Sequence, residues 1–424
     1  MNVEIIAVGT ELLLGNIVNT NAQYLSSRLA ELGFFVYRHT VVGDNKNRLF
    51  EALSGGFKAN DIIITTGGLG PTKDDLTKET VADFFSKKLV FDEKSFQTLT
   101  KIFRKFGVEV SETNKKQAYF PEDSIIMENS CGSAPGCIIE KNGKYLIMLP
   151  GPPNEMKTMF ENSAVPFLKK FQKGIIESRM LRLIGIGEGV MAEQISDLLD
   201  LSNPTVAPYA NQDDVVIRLS AYAENKIEAE KLLVPVENEI RKRLEEFIYG
   251  TNDDVIEKIV AEKLLKHNLS LAIAESCSGG LLTSRLVNCQ GISSVLKESI
   301  VCYGNNSKIH RLGVKTETLE KFGAVSFETA LEMAEGVSKT SGSDIGVSIT
   351  GIAGPEGGTA EKPVGLVYFG FYFDAKKIGD KFSIPQNVKF SEKKVFSGNR
   401  NYIRNRSAVY CLDILRKQLF GANL

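Results

Sequence analysis

The chain has 424 residues with 51 Lys and Arg against 52 Asp and Glu, a formal net charge of −1, and 43% hydrophobic and 24% charged residues. At about 150 residues per domain this length implies two or three globular domains, and the balanced charge excludes a protein that coats nucleic acid by charge alone. Six cysteines without a C-x-x-C pair exclude a disulfide scaffold and argue against structural zinc.

The first third alternates strand-like and helical segments. Residues 3–8 are an apolar run closed by Gly9-Thr10-Glu11, and 21–32 have helical spacing up to Gly33. A strand at 34–41 and a helix at 48–53 lead to DIIITT (61–66), which ends in Gly67-Gly68-Leu69-Gly70. Such an unbroken run is a parallel strand covered by helices on both faces. Helices follow at 75–85 and 94–106, then the buried strand YLIML (145–149), closed by Pro150-Gly151-Pro152-Pro153. This alternation predicts a doubly wound α/β sheet.

A basic stretch at 169–178 and a turn cluster at 249–254 mark two seams. Between them strand, helix, strand and helix at 179–186, 190–199, 215–223 and 229–247 form a small α+β module. The last part predicts a helix at 255–267 and a strand at 269–274 that runs into Glu275-Ser276-Cys277-Ser278-Gly279-Gly280. A helix at 281–288, a strand at 299–303, a helix at 330–340 and a strand at 344–349 precede a Gly-rich loop at 351–365. A strand at 366–373 and a long helix at 400–419 close the chain. No basic leader precedes the apolar start, and no apolar run reaches the roughly 20 residues of a membrane helix. A cytoplasmic protein without a membrane partner is expected.

GGLGPTKDDLTKE (67–79) stands where a buried strand passes into a helix, at the sheet edge where α/β proteins bind ligands. Gly67, Gly68 and Gly70 let backbone amides approach an anion, and the helix start adds positive field. Asp74 and Asp75, with Thr77 and Glu79, offer oxygen ligands to a hard divalent cation. The competing reading is a tight turn whose acids favour the helix N-terminus. Glu11, Asn19-Thr20-Asn21, Asn114, Lys115 and Gln117 add polar groups at loop positions.

AVGTELLLGNIVNTNAQYL, TTGGLGPTKDDLTKE and LPGPPNEM resemble, in order, the N-terminal domain of the CinA family, the competence/damage-inducible proteins. That domain is similar to molybdopterin-binding domains. The resemblance covers most of residues 1–168 and implies an ADP-ribose pyrophosphatase that uses a divalent metal. The glycine loop would hold the diphosphate, with Glu11, Asp74 and Asp75 as metal ligands.

AESCSGG (274–280) sets Ser276 and Cys277 at a strand-to-helix turn, with the amides of Ser278, Gly279 and Gly280 placed to stabilise an oxyanion. A serine needs a base. Only His39, His267 and His310 exist, so a histidine triad would recruit His310 or a distant residue. VCYGNNSK (301–308) instead offers Lys308, a base if buried, and Tyr303 to relay or orient the proton. SITGIAGPEGG (348–358) adds the Thr350 hydroxyl and Gly351, and Arg400 in FSGNRN suits a phosphate or carboxylate. Each has a plain alternative: Ser276 as a helix cap, Lys308 as a solvated lysine, Tyr303 as a packed aromatic. Cys277 remains open as the nucleophile.

Together with GAVSFETA and EKPVG, these motifs resemble the C-terminal CinA domain, the nicotinamide mononucleotide deamidase also called PncC, over roughly 252–419. The resemblance implies Ser276 as nucleophile, Tyr303 and Lys308 as its base system, Thr350 and Gly351 lining the site, Arg400 contributing to it, and no cofactor. Family members usually have Thr at 278 and Ser at 304, where this chain has Ser278 and Gly304.

GIGEG (185–189) and NPTVAPYA (203–210) match the linker domain of full-length CinA proteins, which is similar to KH modules. GIGEG is acidic where a KH loop that clamps nucleic acid needs Lys or Arg, so a spacer and homodimerisation role is expected instead. The resulting expectation is α/β throughout. A doubly wound molybdopterin-binding-like domain spans 1–170, a small α+β KH-like module 171–250, and an α/β deamidase domain 251–424. The two enzymes would act on ADP-ribose and nicotinamide mononucleotide. The alternative is a non-catalytic nucleotide- or molybdopterin-binding regulator.

Overall fold

The structure is a computed structural model describing residues 1–105, 107, 109–211, 213–378 and 388–420. Two compact units divide the chain: Met1–Glu177 with Ala221–Leu232, and Ser178–Ser220 with Leu233–Leu424.

In the first unit, β1 (Asn2–Val8), β2 (Phe35–Val42) and β3 (Ile62–Thr66) are short, largely apolar strands, and all of β3 is buried. An antiparallel pair, β4 (Leu89–Phe91) and β5 (Tyr119–Pro121), stands apart from the main sheet. With β6 (Ile125–Met127), β7 (Gly136–Lys141) and β8 (Lys144–Leu149), the sheet runs β2-β1-β3-β8-β7-β6. The first four strands are parallel; β7 and β6 add an antiparallel edge. The helix Thr20–Glu31 buries Leu25 and Leu29 on one face, and Lys46–Ala59 and Thr77–Phe85 bury Leu53 and Val81 on the other. Cover on both faces explains the unbroken apolar strands. The helix predicted over 94–106 is Glu93–Lys105; Phe106 lies outside the described residues.

The middle segment forms a sheet in the order β10-β11-β9-β12, from β9 (Ile175–Leu183), β10 (Thr205–Ala210), β11 (Val215–Ala223) and β12 (Ile248–Thr251). Its long helix is Lys226–Leu244.

The C-terminal sheet runs β14-β13-β15-β16-β17, from β13 (Leu271–Glu275), β14 (Leu296–Val301), β15 (Ile345–Gly351), β16 (Leu366–Phe373) and β17 (Lys389–Val395). Strand β13 lies inside the sheet, parallel to its neighbours β14 and β15, and is fully buried. Met333 and Val337 of the helix Phe327–Ser341 pack with Ala272 and Ala274 on one face. Val260, Leu286 and Leu412, from three other helices, fill the opposite face with Ile273. The register Glu275↔Ile349 brings the carboxyl ends of β13 and β15 side by side, so Ser276, which leaves β13, stands beside the last residues of β15, Thr350 and Gly351. Among the described residues, no helix is long and apolar enough to cross a membrane.

Candidate active sites

Ser276 follows β13 directly, and its amide donates to the Ile349 carbonyl at 2.8 Å. Lys308 comes from a helix, Asn305–Leu312, that residue periodicity had not shown; it stands one turn inside the helix rather than at the strand end. Its Nζ is 3.1 Å from Ser276 Oγ, 2.7 Å from the Cys302 carbonyl and 2.9 Å from the Tyr303 carbonyl. Lys308 is 1% exposed, and burial lowers its pKa. A neutral amine has two N–H donors and one lone pair. As placed, Nζ donates to Ser276 Oγ and to both carbonyls; loss of one proton would leave two N–H donors for the carbonyls and a lone pair facing the serine hydroxyl.

Tyr303 joins this arrangement differently from the expected proton relay. Its ring is 62% exposed, and its hydroxyl bonds Arg400 Nη2 at 3.1 Å; only its carbonyl reaches Lys308. Arg400 also donates through Nη1 to the Gly354 carbonyl at 2.7 Å.

The expected oxyanion donors need correcting. The Gly279 amide is committed to the Ser276 carbonyl at 3.1 Å, and the Gly280 amide to Glu275 Oε2 at 3.0 Å. Both glycines have positive φ, which turns their amides back into the loop. Among the described residues, the amides of Cys277 and Ser278 meet no carbonyl or carboxylate; both lie against the Cys277 thiol. The Ser278 carbonyl is gripped by Arg404, and its hydroxyl is buried without a partner.

Thr350 also departs from expectation. Its hydroxyl donates to the Ala324 carbonyl at 2.8 Å and is committed to that turn. Gly351 packs where a Cβ would meet the Leu366 carbonyl and Val367. Burial pushes the Cys277 thiol up to about 12, which leaves it protonated and a poor nucleophile. His310 lines a groove of about 770 Å³ with Arg311 and Lys339, in which Ser276 has no part.

In the first unit, Gly67, Gly68, Gly70, Glu11, Asp74 and Asp75 line one cavity of about 400 Å³, so the structure brings all six together. Gly67 has φ +101° and lies where a Cβ would strike the Val8 carbonyl. Thr77 ties the loop by donating its hydroxyl to the Gly67 carbonyl at 2.9 Å. Asp75 accepts from the Thr72 amide and hydroxyl at 2.9 and 2.5 Å. Asp44, bonded to Thr10, and Glu155, bonded to Asn129, complete five carboxylates on a wall with no lysine, arginine or histidine. Among the described residues, no three His, Cys, Asp or Glu side chains close on one point as a metal cage. Hard cations of the magnesium type instead take one or two carboxylates plus substrate phosphates, and this donor set fits that mode. Of the other polar positions, Asn19, Thr20 and Asn21 line an adjoining cavity of about 300 Å³ and Gln117 lines the larger one. Asn114 caps its own helix, and Lys115 pairs with Glu112.

Comparison with known proteins matches residues 4–170 to the probable molybdopterin binding domain, 178–250 to the damage-inducible protein CinA KH domain, and 253–419 to the CinA C-terminal domain. A Clostridium tetani protein named as competence-damage inducible is 54% identical over 420 residues, 99% of this chain and 100% of its own. The chain belongs to the CinA family. A CinA-like protein of Kosmotoga olearia is 52% identical over 99% of both chains. A solved structure of a CinA protein of unknown function from Thermoplasma acidophilum is 34% identical, covering 39% of this chain and 96% of its own, with a TM-score of 0.37.

Two residues of this CinA chain that motif reading passed over shape the serine loop. Glu275, fully buried, accepts from the amides of Gly280, Leu282 and Thr283 and from the Thr283 hydroxyl. A carboxylate just ahead of a helix start was the available signal. Arg404 was signalled by its spacing of four from Arg400, which puts both on one side of the helix Arg400–Phe420.

Proposed function

We propose that the C-terminal half hydrolyses nicotinamide mononucleotide to nicotinate mononucleotide and ammonia. The observation that carries this reading is the 3.1 Å approach of buried Lys308 Nζ to Ser276 Oγ, with two carbonyls taking the amine's protons. Neutral Lys308 accepts the Ser276 proton as Oγ bonds to the amide carbon, and the Cys277 and Ser278 amides receive the oxyanion. The lysine then gives its proton to the departing nitrogen, the C–N bond breaks to release ammonia, and the nicotinate mononucleotide acyl group is left esterified to Ser276. Water adds with Lys308 again as base, and cleavage of the ester restores the hydroxyl. Arg400, braced against Tyr303 and Gly354, is assigned the substrate phosphate.

The N-terminal cavity is read as the site that cleaves ADP-ribose to AMP and ribose 5-phosphate, water adding across the P–O–P bond. Gly67, Gly68 and Gly70 shape its wall, and the helix Thr77–Phe85 points its N-terminus toward the loop. A divalent cation bound there would neutralise diphosphate oxygens and polarise a water. Glu11 and Asp74, both exposed and, among the described residues, without a side-chain hydrogen bond, are the carboxylates assigned to hold it.

Purified protein incubated with each nucleotide tests both readings. Ser276→Ala should abolish ammonia release while Cys277→Ala keeps most of it, and the reverse result overturns the serine assignment. A chain that binds both nucleotides and releases neither set of products is the non-catalytic regulator instead.

A further inference from the structure

We propose that Asp213, in the turn between β10 and β11 of the KH module, is a positioning residue for the Ser276 loop, acting through Arg285 and Arg406. The inference rests on the deamidase reading above. Asp213 Oδ2 accepts from Arg285 Nη2 at 2.8 Å, and its main-chain carbonyl accepts from Arg406 Nη1 at 2.8 Å. These arginines lie on the two helices that control the loop. Arg285 belongs to Leu281–Val287, whose first turn is tied to Glu275 beside Ser276. Arg406 is two residues beyond Arg404, which grips the Ser278 carbonyl at 2.9 Å.

The turn that presents Asp213 is itself anchored. Asp214 is buried and accepts from the Tyr249 hydroxyl at 2.8 Å and from Arg182 at 2.7 Å, and the Asn211 amide closes the turn on the Asp214 carbonyl at 2.8 Å. Ile184 and Tyr249 enter the same apolar core as Ile256, Leu286 and Leu412. Asp213 thus joins this hairpin to both supports of the nucleophile loop, with Glu257 sharing Arg285 Nη2 at 3.2 Å. The contact is not optimised as a stabilising ion pair. Asp213 Oδ1 and Arg285 Nε are buried without partners beside a cavity of about 170 Å³, and unsatisfied buried groups cost stability. What the pair supplies is placement, and small errors in the placement of reacting groups are expensive in rate.

The test compares full-length wild type with Asp213→Ala, Asp213→Asn, Arg285→Ala and the double variant Asp213→Ala/Arg285→Ala. Hydrogen exchange of residues 277–284 is read alongside the kinetics of ammonia release from nicotinamide mononucleotide. In both Asp213 variants we expect exchange in that segment to quicken by about fivefold or more. We also expect kcat to fall about tenfold with KM within about twofold, and the double variant to be no slower than Arg285→Ala. Both variants keep the main-chain carbonyl to Arg406, and Asp213→Asn also keeps a side-chain oxygen for Arg285, so its loss should be the smaller. Unchanged exchange, a kcat within twofold of wild type, or fully additive losses overturn the proposal. If wild type releases no ammonia, the deamidase reading fails, and the exchange measurement still decides whether Asp213 positions the loop.

Discussion

An amine accepts a proton only while neutral, and an ordinary lysine, with a pKa of about 10.4, is almost wholly charged near pH 7. Burial lowers the Lys308 pKa because the charged form loses its hydration, and two carbonyls remain as its only strong acceptors besides the serine. The sign for activity follows. Below the lowered value Lys308 is protonated and cannot deprotonate Ser276; above it the base is free. Ammonia release should therefore rise with pH through one ionisation with a midpoint under 10.4. Lys308→Arg keeps a donor for the carbonyls but never deprotonates, so it should cost about 10²- to 10⁴-fold in kcat/KM. A pH profile that is flat from 6 to 10, or an active arginine variant, would remove lysine as the base.

The helix Leu281–Val287 begins on a carboxylate that is not a usual cap. Glu275 lies in the strand before the loop, yet it accepts from three amides and a hydroxyl at the helix start. Glutamine has one acceptor oxygen and an NH₂ that must face an amide, so Glu275→Gln should cost about 1–3 kcal/mol in denaturant unfolding and slow ammonia release. If stability is unchanged, the carboxylate is not a structural clamp. None of this could be read from the motif: AESCSGG places a serine at a turn, but which amides that turn consumes depends on the φ of Gly279 and Gly280. The buried strands were legible because DIIITT and the run before Glu275 leave no face for water. The helix that carries Lys308 was not, since NNSKIHRL has only Ile309 and Leu312 as strong apolar residues. The antiparallel strands Ile125–Met127 and Gly136–Lys141 were hidden by the Asn-, Ser- and Gly-containing stretch between them. In the first unit the glycine loop and three acidic positions, Glu11, Asp74 and Asp75, were legible, whereas Asp44 and Glu155 reach the same cavity from distant segments.

At the scale of the whole chain, two sites with opposite electrostatics imply two chemistries with different needs. Around Ser276 the chain supplies its own base and two arginines, Arg400 on the Tyr303 hydroxyl and Arg404 on the Ser278 carbonyl. The lining of the N-terminal cavity presents five carboxylates and no basic side chain, while Lys116 reaches the Thr72 and Asp75 carbonyls from behind the loop, so a diphosphate entering there meets a surplus of negative charge that a cation would offset. Chelation should therefore stop ADP-ribose cleavage and leave ammonia release unchanged, with cleavage returning on addition of a divalent cation. Asp74→Asn should lower cleavage and raise the cation concentration needed for half-maximal rate, because an exposed carboxylate in the wall is lost while the Thr72–Asp75 turn remains. Ser276→Ala should do the converse, removing ammonia release and sparing cleavage. Should the chelator extinguish both reactions, the amidase would need a metal that the Ser276–Lys308 pair leaves no role for. Should it extinguish neither, the carboxylate wall would have to admit a bare diphosphate against its own charge, and the metal would drop out of the N-terminal reading.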